Sequence, residues 1–77
     1  MSDVRTFSLG GMTFEVAVCT DPSAGVVTLW VYRIDVFPKA RVATGTPGAL
    51  SLIGEYQEWD VAIIEQAVSD ALEDVTV

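Results

Sequence analysis

The chain has 77 residues, 51% of them hydrophobic and 19% charged, with a formal charge of −7 at pH 7. That length allows one domain, 1–77, and the apolar content is too high for a disordered chain. Four basic residues (Arg5, Arg33, Lys39, Arg41) against eleven acids argue against direct nucleic-acid binding, while zero His and one Cys exclude Cys–His zinc modules, Cys–His catalysis and an internal disulfide framework.

Val4 to Leu9 alternates Phe7 and Leu9 with Thr6 and Ser8, the period of a strand. Gly10-Gly11 then supplies the two positive-φ positions of a two-residue hairpin turn. A second strand from Met12 to Thr20 follows. Paired residues share a face, so Leu9 is expected opposite Met12 and Phe7 opposite Phe14. Val16 and Val18 extend that apolar face, and Thr13, Glu15, Ala17 and Cys19 point the other way.

Asp21-Pro22-Ser23-Ala24-Gly25 reads as a turn. Val26 to Phe37 is a long β-rich run with broken alternation. Val27, Leu29 and Val31 form one row, which continues into Arg33 and Asp35; Trp30, Tyr32, Ile34 and Val36 form the other. Either a bulge near Tyr32 switches the buried face or both faces are partly covered. Trp30 and Tyr32 are expected under a helix, because a small chain has few other large groups to fill that space; exposure as a binding or dimer surface is the alternative. Arg41 to Thr44 and Leu50 to Tyr56 read as short strands around the turn Thr46-Pro47-Gly48.

The C-terminal segment is an amphipathic helix. Val61, Ile64, Ala67, Val68, Ala71, Leu72 and Val75 fall on one face at helical spacing. Asp60, just before that run, is the expected N-cap, with Trp59 and Ile64 as a hydrophobic staple. The predicted fold class is α+β: a small antiparallel sheet of three to five strands, opened by the N-terminal hairpin and packed on one C-terminal helix.

Charge is segregated along the chain. Residues 1–54 hold four acids and four bases, net 4 − 4 = 0, so the whole −7 lies in 55–77, where seven acids stand without a base. Solubility alone accounts for an acidic face. A partner-binding face accounts for it too, and Glu58, Glu65, Asp70, Glu73 and Asp74 are the candidates, joined by Trp30 and Tyr32 on the strand. Those acids span about 24 Å of helix at about 1.5 Å per residue. One charge per roughly 5 Å is far sparser than duplex DNA at about one per 1.7 Å, so only a single-stripe imitation of nucleic acid is expected.

No catalytic residue, cofactor or metal ligand is predicted. The acids sit on a solvated face, Cys19 lacks a basic neighbour to activate it, and Gly45-Thr46-Pro47-Gly48 lacks the ending of a phosphate loop. Met1-Ser2-Asp3 shows no signal-peptide pattern and no apolar run reaches the roughly 20 residues of a membrane span, so a cytoplasmic protein is expected.

No motif matches a named family. The small size, acidity, sheet-plus-helix plan and lack of catalytic equipment resemble, at the level of class, small inhibitors encoded by phages and mobile elements, anti-CRISPR proteins among them. The expected function is a non-enzymatic module whose acidic helix engages a basic surface on a larger protein, as in a stoichiometric inhibitor of a nucleic-acid-binding site. A small homo-oligomer joined through the Trp30/Tyr32 strand face is the alternative.

Overall fold

A computed structural model describes residues 2–73, with side chains from Val4 onward. Five antiparallel strands follow one another in sheet order: β1 (Ser2–Leu9), β2 (Met12–Asp21), β3 (Val26–Arg33), β4 (Ala40–Thr46) and β5 (Ala49–Leu52). A short 3-10 helix (Gly54–Glu58) leads into α1 (Val61–Glu73). This is the α+β plan read from the sequence: one sheet, one C-terminal helix.

The first hairpin has the expected register. Leu9 faces Met12 and Phe7 faces Phe14, with Gly10 at φ 59° and Gly11 at φ 79°. Both angles lie where a side chain is disfavoured, which is why two glycines occupy the turn. The Phe7 and Phe14 rings stack at 5.2 Å between centroids. The β2–β3 turn is held by Asp21, whose carboxylate accepts the Ser23 N–H and hydroxyl at 3.1 and 2.7 Å. These bonds, the Ser23 hydroxyl first, hold the Asp21 carboxyl below the usual carboxylate range.

The third strand differs from the expected run Val26 to Phe37. It ends at Arg33, not Phe37. The Ile34 N–H makes a bond to Thr13 O at 2.9 Å, and Arg33 then grips Asp35 through Nε–Oδ1 at 2.8 Å and Nη2–Oδ2 at 3.0 Å. That two-pronged contact across two residues folds residues 34–39 into a loop. The irregularity near Tyr32 exists, but it belongs to β4. Val31 pairs with Ala43 and Tyr32 with Arg41, leaving Val42 as the extra residue. The bulge turns both Val42 and Ala43 into the core, while β3 keeps its alternation throughout.

Leu50 to Tyr56 is likewise not one strand. β5 stops at Leu52, and the 3-10 helix carries the buried Tyr56 over the sheet. Helix α1 buries Ile64, Val68 and Ala71, with Val61 and Leu72 partly buried; Val75 lies outside the described residues. Ile64, Val68, Val61 and Leu72 join one cluster with Phe14, Val16, Leu29, Val31, Val42 and Leu50, so the core sits on one face of the sheet. Asp60 caps the helix as expected, accepting the Ala62 N–H at 3.0 Å. Trp59 packs edge-on against both Phe14 (6.1 Å) and Tyr56 (4.8 Å). Among the described residues no helix is long and apolar enough to cross a membrane.

Candidate functional site

The alternation of β3 decides where Trp30 and Tyr32 go. Leu29 and Val31 face α1, so Trp30 and Tyr32 project from the opposite face of the sheet, half-buried among their neighbours. The expectation that the helix covers them is overturned. A single helix covers one face of a sheet, and the larger apolar set of Phe14, Val16, Leu29 and Val31 claims it.

On this open face the cross-strand pairs set the chemistry. Trp30 lies between Ala17 on β2 and Thr44 on β4; Tyr32 lies between Glu15 and Arg41. Two cations sit over the rings. Arg41 Cζ is 5.3 Å from the Trp30 centroid and Lys39 Nζ is 4.7 Å from that of Tyr32, both within cation–π range. Lys39 also pairs with Glu15 Oε2 at 3.2 Å. Cys19, exposed and paired in register with Thr28, lies further along the same face. Lys39 and Arg41 against Glu15 give this cluster a charge of 2 − 1 = +1, in a protein whose total is −7.

The acids do not form the single stripe expected of them. Glu58, Asp70 and Glu73 are exposed, Glu58 at the end of the 3-10 helix and the other two on α1. Asp70 Oδ1 accepts a bond from Gln66 Nε2 at 3.0 Å. Glu65 does not project to solvent. It is partly buried, and its Oε2 accepts the Leu50 N–H of β5 at 3.0 Å. At the helical wheel position of Glu65, on the flank of the apolar stripe, an edge strand is within reach of its carboxylate. Asp74 lies outside the described residues. With Glu55 and Asp60, these exposed acids gather on the helical elements, while Lys39 and Arg41 lie on the open sheet beside Glu15.

Among the described residues no three His, Cys, Asp or Glu side chains gather where a metal could bind. The residues that the sequence reading passed over are Lys39 and Arg41, whose placement over the rings depends on the loop and the β4 register. Phe37 was passed over too: read as the end of a strand, it stands fully exposed in the loop. Its position between Asp35 and Lys39, next to Pro38, was the available signal of a loop tip. Comparison with protein-family models, curated proteins and solved structures finds no match for the chain.

Proposed function

We propose that the protein is a non-enzymatic interaction module that binds a larger protein through the open face of its sheet. The observation that carries this reading is the pair Trp30 and Tyr32, held on the uncovered face beneath Arg41 and Lys39. Aromatic and Arg side chains are the residue types that dominate binding energy in protein interfaces, since they bring large area with little entropy to lose. An overall charge of −7 opposes approach to phosphate, so the partner is protein and not nucleic acid. A reducing cytoplasm suits the exposed thiol of Cys19.

The exposed acids support a second reading on the opposite side. Glu55, Glu58, Asp60, Asp70 and Glu73 face solvent in a segment without a single base. Such a surface suits a stoichiometric inhibitor that occupies a basic nucleic-acid-binding site, in the manner of anti-CRISPR proteins. Glu65 has no part in it.

Affinity capture from the native host, with salt-step elution, tests both. Trp30→Ser/Tyr32→Ser removes the open-face contact; Glu58→Lys/Asp70→Lys/Glu73→Lys removes the acidic one. Loss of the partner with the first variant alone supports the open face, and loss with the second alone supports the acidic side. A partner retained at full occupancy by both folded variants overturns both.

A further inference from the structure

We propose that two copies of this chain pair along the outer edge of β1, their Thr6–Ser8 segments running antiparallel about a two-fold axis at Phe7. The two edges of the sheet are built differently. β5 is four residues long, and the outward N–H of Leu50 is taken by the Glu65 carboxylate at 3.0 Å. β1 has eight residues and carries neither Pro nor Lys, the residues that commonly guard an edge. Its Val4 carbonyl accepts a bond from the Arg5 guanidinium at 2.9 Å, and the chain turns back at Gly10. Between those two points lies a window of Thr6, Phe7 and Ser8.

The ladder fixes which groups of this window point outward. Thr13 O accepts the Ile34 N–H on the β3 side of β2, so Met12 and Phe14 direct their N–H and C=O groups at β1. Their partners Leu9 and Phe7 bond back to β2, which leaves the N–H and C=O groups of Thr6 and Ser8 facing away from the sheet. Among the described residues these groups meet no hydrogen-bond partner, and both residues are exposed.

The window matches itself. An antiparallel copy with Phe7 opposite Phe7 sets Thr6 opposite Ser8 on both sides of the axis, and each such pair exchanges two N–H···O bonds. Every outward group of the window is then satisfied. The same register places Thr6 against Ser8 on the open face, a favourable cross-strand pair. On the core face it brings together the two Phe7 rings, each already stacked on its own Phe14 at 5.2 Å. Above the edge, α1 contributes the small Ala67 and Ala71, which leave space for the added strand. The two-fold uses up both β1 edges. What remains at the ends of the joined sheet is β5 of each copy, guarded by Glu65, so the assembly stops at a dimer. One guarded edge and one open, self-matching edge select a second copy as the occupant. The contact uses neither Trp30 nor Tyr32, so it goes beyond the open-face reading and stands or falls separately.

Sedimentation velocity and amide hydrogen exchange of the full chain over a concentration series test the proposal. Wild type should show a monomer–dimer equilibrium, with the Thr6 and Ser8 amides gaining protection as concentration rises. N-methylation of the Ser8 amide, introduced by chemical synthesis, removes a donor that the monomer does not use. It should leave the melting temperature of dilute protein unchanged and raise the dimer dissociation constant by at least about tenfold, since each dimer loses two bonds. Asp70, exposed on α1 beside Thr6–Leu9, is carried toward its counterpart, so the dimer should tighten as salt rises. A wild type that stays monomeric at every concentration overturns the proposal, and protection of Thr6 and Ser8 only on adding a partner protein assigns the edge to a foreign strand instead. A dimer that survives N-methylation of Ser8 unchanged, or is lost only with Trp30→Ser/Tyr32→Ser, overturns it too.

Discussion

The Glu65 carboxylate accepts the backbone N–H of Leu50 at 3.0 Å, so α1 is hydrogen-bonded directly to the edge strand β5. Leu50 is buried, and its N–H would otherwise lack a partner inside the protein on that side of the ladder. An acid that reads from the sequence as part of a solvated face is therefore a fastening between helix and sheet. Glu65→Ala should destabilise the fold by about 1–3 kcal/mol, the cost of an orphaned buried donor. Glu65→Gln, which keeps a carbonyl acceptor, should lose less. Urea unfolding of the two variants against wild type checks the order, and equal stability of Ala and wild type would remove the fastening role.

Asp60 should behave as a cap. Asp60→Ala is expected to cost about 0.5–2 kcal/mol by leaving the Ala62 N–H without its acceptor. Losing one acid among many also relieves repulsion, and salt separates the two effects because it screens repulsion more than a hydrogen bond. Thermal melts at low and high salt should show the larger net loss at high salt.

Two glycine positions should fail for different reasons. A side chain at Gly45 would collide with the backbone carbonyl of Ala49 across the β4–β5 hairpin and also strain a backbone at φ 149°, so Gly45→Ala should cost roughly 1–3 kcal/mol or more, with the clash that Gly11 lacks. At Gly11 nothing lies within 4 Å, but φ is 79°, so Gly11→Ala should cost about 1–2 kcal/mol in backbone strain alone. A D-alanine at position 11, introduced by chemical synthesis, should recover the loss there, and comparing the Gly11 pair by chemical denaturation isolates the strain.

Acid should release the Arg33–Asp35 contact of the β3–β4 loop only below the ordinary carboxylate range. The Arg33 guanidinium, bonded to both oxygens of Asp35, holds that carboxyl below the usual carboxylate range. A depressed native value means that the contact contributes fully above the ordinary carboxylate pKa of about 3.9 and is lost as pH falls through the native value. Both side chains are partly exposed, so the effect on overall stability is small. Carboxyl NMR titration should find Asp35 titrating low in wild type and near the ordinary value in Arg33→Ala, with Asp21 unaffected because Ser23 holds it.

Local chemistry was legible wherever neighbours in sequence decide the outcome. Gly10-Gly11 with alternating Phe7, Leu9, Met12 and Phe14 carries its own register, because turn length and side-chain parity leave one solution. Asp60 ahead of the 3.6-residue stripe announces its own cap, and Ile64 and Val68 their burial. These features belong to the sequence by itself.

The candidate surfaces were decided by tertiary structure. Which row of β3 is buried depends on a competition across strands, where Leu29 and Val31 join Phe14 and Val16 under the one helix and leave Trp30 and Tyr32 outside. The bulge at Val42 is a mismatch between two strands and has no signature in either alone. Glu65 meets Leu50 only once the helix is laid across β5, and Phe37 is exposed because Arg33 and Asp35 turn the chain away from the sheet. Side-chain periodicity states which residues share a face, but the identity of the face that is covered follows from how many apolar groups each face gathers from distant strands.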